Sequence, residues 1–125
     1  MRLWHQSLIT KLPRQQLLGQ HRECCALRGA GWGRPYATVN YVFTHSPEDL
    51  VSYHIRVMEE MRRRGYNPDG MWRIPNWRGT KIGFDNWIKD FHMNFNNPIY
   101  PEHDDAYLQE CLNNLKGKGI IIDVE

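Results

Sequence analysis

A mostly α-helical fold, all-α in class, is predicted for this 125-residue chain by three observations. Three stretches carry apolar residues at helical spacing between residues that start and stop helices. No comparable stretch alternates at the two-residue period of a half-buried strand. The connections between the helical stretches are irregular and rich in Gly, Pro and Asn. The length suits one domain with its own core, so residues 1–125 are read as a single compact unit of about three main helices. Repeats and low-complexity tracts are absent.

The first helix is expected from Pro13 to Gly29, "PRQQLLGQHRECCALRG". Proline suits a first helical position and glycine suits a stop. Leu17, Leu18, His21, Cys24, Cys25 and Arg28 follow helical spacing, with Leu18 and Cys25 on the expected buried stripe. Gly19 inside that helix costs about 1 kcal/mol relative to alanine, which predicts a close approach of another backbone or a ligand.

The second helix is the clearest. Ser46 is placed to cap it, Pro47 occupies the first turn, and Glu48 and Asp49 favour its positive end. Leu50, Tyr53, His54, Val57, Met58 and Met61 form the apolar stripe, and Gly65 ends it. Arg62, Arg63 and Arg64 complement the negative end of the helix dipole, the reading of a solvated helix end rather than a phosphate clamp.

Residues 66–100 are loop-rich, with a short helix expected around Phe84–Phe91. This span interleaves Trp72, Trp77 and Trp87 with Arg73, Arg78, Lys81 and Lys89. Such alternation serves distorted or single-stranded nucleic acid, and it also arises when a long loop packs on a core. The third helix is expected over about residues 101–116, burying Tyr107, Leu108, Cys111, Leu112 and Leu115. The tail "IIIDV" is read as extended and docked on the body.

Composition narrows the function classes. No run of about 18 apolar residues exists, so no membrane span is expected. The first residues, "MRLWHQSLITKLP", lack the apolar stretch and small-residue cleavage site of a signal peptide. The expected compartment is therefore the cytoplasm, where Cys24, Cys25 and Cys111 would be reduced thiols. Residues 1–101 hold 14 Lys/Arg against 8 Asp/Glu, and residues 102–125 hold 2 against 6. A basic body with an acidic tail is compatible with a polyanionic partner.

The stretch "GQHRECC" is the chemical focus. His21 and Glu23 lie two apart and point in different directions on a helix. The H-x-E pattern of zinc deaminases also needs a downstream P-C-x-x-C, which is missing. Neither H-x-x-x-H nor C-x-x-C occurs, so no metal and no cofactor is expected. Cys24 and Cys25 sit mid-helix, away from the N-terminus that favours a thiolate. Glu23 remains, as a surface charge or as a working carboxylate.

"QQLLGQHRE", followed later by "YHIRVMEEMRRRGYNP", resembles the pyrimidine-dimer DNA glycosylases of the endonuclease V type. That family has a compact three-helix domain whose first helix carries a Tyr-Arg-Glu stretch, matched here by His21-Arg22-Glu23. Its Lys-Arg-Gly-Phe-Asn stretch is similar to Arg63–Asn67. The resemblance implies removal of a damaged base from double-stranded DNA, then strand cutting as an AP lyase. It implies the N-terminal α-amine, here of Met1, as the nucleophile that forms a Schiff base with the sugar, and Glu23 as the catalytic carboxylate. Arg2 and Arg22 fall on the family's DNA-contacting arginines. The family's basic residue three after the glutamate is Ala26 here, with Arg28 two further on as its replacement. His5, close to the N-terminus, is a further candidate for phosphate contact or packing. Rival readings are a non-catalytic DNA-binding module on the same scaffold, and a small metal- or thiol-dependent enzyme.

Overall fold

The computed structural model describes residues 2–36 and 38–123. Among them are three α-helices, α1 (Arg14–Arg28), α2 (Pro47–Arg63) and α3 (Asp105–Gly117), with short 3-10 turns at Gln6–Leu8, Asn40–Thr44 and Gly70–Arg73. No strand is formed among the described residues; one isolated antiparallel bridge joins Trp77 and Phe84. None of these helices is long and apolar enough to cross a membrane.

The α2 helix forms as its sequence dictates. The Ser46 hydroxyl accepts from the Glu48 amide, Pro47 opens the first turn, and Gly65 closes the end at φ +88°. All six expected stripe residues, from Leu50 to Met61, are buried. Arg63 and Arg64 both pair with Glu60, at 2.5 and 2.7 Å, and hold its carboxyl below the ordinary range. Arg64 also donates to the Leu12 and Thr10 carbonyls. Of the triple arginine, Arg64 thus fastens the N-terminal segment, while Arg62 and Arg63 stay at the solvated helix end.

The α1 helix packs against α2. Its buried face differs from the expected one: Leu17, Gln20, Cys24, Leu27 and Arg28 point inward, while Leu18 and Cys25 are only half-buried. The stripe is rotated because a polar pair, Gln20 and Arg28, is taken into the interior and satisfied there. Gly19 is not approached by another backbone; a Cβ there would meet only the Arg22 guanidinium, at 3.7 Å. The close approach lies beyond the helix, at Gly31, where a Cβ would sit 2.7 Å from the Ala26 carbonyl oxygen.

The α3 helix starts later than expected, because Asp104 caps it by accepting from the Tyr107 amide at 2.8 Å. Cys111 and Leu115 are buried and Tyr107, Leu108 and Leu112 pack beside them. The tail docks as far as it is described: Ile120 and Ile122 lie against the core, and Lys11 donates to the Asp123 carbonyl, while Val124 lies outside the described residues. The helix expected around Phe84–Phe91 does not form. Gly79 and Gly83 take positive φ, and the Asn76 carbonyl and side chain accept from Asp85 and Ile88. Residues 70–92 are therefore a strap laid over the end of α1.

Candidate active site

The N-terminal segment runs back along α1 and is registered against it by one side chain. Gln20 Oε1 accepts from the Trp4 amide (2.6 Å) and the Tyr53 hydroxyl (3.0 Å), and its Nε2 donates to the Arg2 carbonyl (2.9 Å) and Glu23 Oε2 (3.2 Å). The Arg2 amide donates to the same Glu23 oxygen at 3.1 Å. Glu23 is half-buried, and desolvation pushes its carboxyl above the ordinary glutamate range, against the pull of these two donors and of Lys118. A carboxyl raised by burial and aimed at the start of the chain has the makings of a proton-transfer group.

Cations line the N-terminal segment. The Arg2 guanidinium lies 5.6 Å from the Trp4 ring and 5.9 Å from the Tyr107 ring, with Glu110 at 3.8 Å. Lys118, just past α3, lies 5.4 Å from Trp4. Arg22 is exposed beside Glu23. The structure thus brings the Arg2 amide to Glu23, while the Arg2 guanidinium lies by Tyr107 and Glu110 and Arg22 is on the exposed side of α1; Met1 lies outside the described residues. Trp4 and Lys118 were missed as neighbours of the carboxylate, and their distance in sequence from Glu23 gave no signal.

Two expected DNA contacts are corrected. Arg28 is fully buried. Its Nη1 donates to the Trp72 carbonyl (2.6 Å) and to His54 Nδ1 (3.0 Å), and its Nη2 to the carbonyls of Ile74 (2.9 Å) and Trp77 (3.2 Å). With these donors spent inside the protein, it is an anchor for the strap and not a phosphate contact. His5 is buried as well. Its Nδ1 accepts from the Ser7 amide, and its ring stacks on His103 at 5.4 Å, so it caps a turn rather than facing DNA.

The fold also assembles a cluster that the spacing rules did not predict: His21 and Cys25 from α1 and His54 from α2, with ligand atoms within 4.8 Å of one another. The hydrogen-bond pattern argues against a cation there. Arginine has no acceptor, so His54 Nδ1 must accept from Arg28, and neutral His54 then carries its proton on Nε2. That proton is directed to His21 Nδ1, 2.8 Å away. A metal at His54 Nε2 would require imidazolate beside a buried guanidinium that stays charged at neutral pH. Burial also pushes the Cys25 thiol up to about 12, which leaves little thiolate as ligand or nucleophile.

Burial holds His5, His21, His54 and His103 below the ordinary histidine range, His103 down to about 3. The unfolded chain takes up protons at these sites near pH 6.5 while the folded chain does not. Stability is therefore full well above pH 6.5 and is lost as pH drops below it, each histidine contributing until the pH reaches its own folded-state range, at no more than about 1.4 kcal/mol per unit for a fully buried one such as His54. Glu60, held low, adds to the loss at more acid pH; Glu23, held high, opposes it. Urea unfolding from pH 7 to pH 5 is expected to show this decline, and a flat profile would mean that the histidines are not neutral in the interior.

A family model described as Pyrimidine dimer DNA glycosylase matches residues 1–74. The chain belongs to that family. No curated protein and no solved structure matches the chain. Membership in the pyrimidine dimer DNA glycosylases gives it a repair role of the glycosylase type, and the matched residues contain the Arg2–Gln20–Glu23 constellation, α1 and α2. Most of the strap, and all of α3, lie outside the match.

Proposed function

We propose that the chain removes a damaged base from double-stranded DNA, with pyrimidine dimers as the leading lesion, and then cuts the strand as an AP lyase through its N-terminal amine. What carries the proposal is the 3.1 Å bond from the Arg2 amide to Glu23. Bond lengths keep consecutive backbone nitrogens within about 4 Å of each other. Covalent geometry thus supports an α-amino group one residue before Arg2 as the partner of the same carboxylate.

The chemistry suits an amine of this kind. An α-amine has an ordinary pKa of about 7.7–8.0, against about 10.4 for lysine, so a useful fraction is neutral near pH 7. The neutral nitrogen attacks C1′ as the bond from C1′ to the base breaks, and the base leaves with the bonding electrons. Glu23 stabilises the cationic sugar character and relays the proton that opens the ring, which gives the Schiff base. Loss of a C2′ proton then expels the 3′ phosphate. Arg22, exposed, and Arg2 bind the strand.

Borohydride reduction on a duplex with one abasic site tests the reading. Wild-type protein is expected to form a covalent adduct, and a version extended by several residues before Met1 is expected to form none. An adduct that survives the extension would place the nucleophile elsewhere. Salt-sensitive binding with no adduct from the wild type would leave the non-catalytic module as the reading.

A further inference from the structure

Two grooves stand out on the surface. One, of about 460 Å³, is lined by Arg56 and Arg63 together with Glu59 and Glu60, so its charges balance. The other, of about 600 Å³, lies between the C-terminal end of α1 and the strap. Its lining holds Arg34, Arg78 and Lys81 and no carboxylate. Its floor is made of small residues, Ala26, Gly29, Ala30 and Gly79, with Trp72 as a wall. A floor without side chains beyond Cβ lets a bulky, charged chain come close to the backbone.

Of the three cations, Arg78 is committed to the fold. It donates to the carbonyls of Arg28 (2.8 Å) and Gly29 (3.3 Å), pairs with Asp85 at 2.7 Å, and lies 4.2 Å from the Trp87 ring. Arg28 holds the strap from the other side, so the two arginines clasp the groove wall to α1. Arg34 and Lys81 are exposed; Arg34 uses only its Nε in a bond to the Ala30 carbonyl.

The groove continues the candidate active site. Ala26 and Gly29 lie three and six residues beyond Glu23, and Ala26 shares the exposed face of α1 with Arg22. Six residues at 1.5 Å rise are about 9 Å, between two and three base-pair steps at about 3.4 Å.

We propose that this groove holds the sugar–phosphate backbone of the DNA on one side of the lesion, with Arg34 and Lys81 as its phosphate contacts. The inference rests on the reading of DNA as substrate. It adds a binding surface formed in part by the strap, beyond the residues that the family model matches.

The test is the salt dependence of binding to an undamaged 20-base-pair duplex. Loss of two phosphate contacts is expected to reduce the slope of log K against log salt by about 2. The Arg34→Ala/Lys81→Ala protein should show that reduction with about a tenfold or greater loss of affinity at low salt. Arg34→Lys/Lys81→Arg should restore the slope. Arg56→Ala/Arg63→Ala, in the balanced groove, serves as the control. An unchanged slope, or an equal loss in the control, overturns the proposal. Trapping on abasic DNA separates it from the base-removal reading. Adducts from wild type with an unchanged slope sink the groove alone, whereas a reduced slope without adducts sinks the amine chemistry alone.

Discussion

The Glu23→Gln protein is expected to fold normally and to excise bases at least about a hundredfold more slowly than wild type, within the range by which a positioned proton-transfer group accelerates a reaction. The two halves of this expectation come from different observations. Glutamine keeps an oxygen for the Arg2 amide and the Gln20 amide, which now meet Glu23 Oε2 at 3.1 and 3.2 Å. It also removes a charge that burial disfavours, so urea unfolding near pH 7 should be unchanged or slightly more resistant. Chemistry loses the group that stabilises the sugar cation and moves its protons. On the proposed mechanism the amine sets the first fall in rate as pH drops, and the raised carboxyl adds a second fall at lower pH. Excision at the wild-type rate by Glu23→Gln would remove the carboxylate from the mechanism.

Arg28→Leu is expected to be among the most destabilising single changes in the protein, by about 3–5 kcal/mol, the cost of breaking a buried charged network. The substitution leaves the Trp72, Ile74 and Trp77 carbonyls and His54 Nδ1 without their donor. Arg28→Lys should not restore the loss, since one ammonium cannot reproduce the planar fork that reaches several carbonyls. Urea unfolding measures the overall cost. Amide hydrogen exchange should show the first and largest loss of protection in residues 70–84. A stable Arg28→Leu protein with weakened DNA binding would return this arginine to the DNA surface.

Arg28 also shows where the sequence stops being legible. An arginine in the last turn of a helix fits the dipole argument, and nothing local distinguishes an exposed one from a buried one. Its partners are carbonyls 44 to 49 residues away, on a strap without secondary structure to announce its path. The α2 helix, by contrast, was readable in full, because its cap, its first-turn proline, its stripe and its terminating glycine all act within a few residues of each other. The helix expected around Phe84–Phe91 failed for the opposite reason: apolar residues there have helical spacing, but they pack a strap whose turns are set by Gly79 and Gly83. Within the site, composition could single out Glu23 only as the residue left after metal and thiol were set aside. Its bond to Arg2 spans 21 residues and depends on how the first segment folds back along α1. The pairing was suggested by family resemblance, not by spacing. The His21–Cys25–His54 cluster escaped because its third member comes from another helix.

Gln20 has a last consequence. Its amide is fully engaged: the oxygen accepts from Trp4 and shares the Tyr53 hydroxyl proton with the Trp4 carbonyl, and both hydrogens go to Arg2 and Glu23. It therefore works as a ruler that fixes where the second residue stops. Lengthening or shortening the stretch between Trp4 and α1 must be absorbed by its turns, or a different peptide nitrogen will arrive at the acid. Ahead of that stop nothing in the ruler measures, so on the proposed mechanism trimming or adding a single residue at the leading end changes which nitrogen is offered to the sugar.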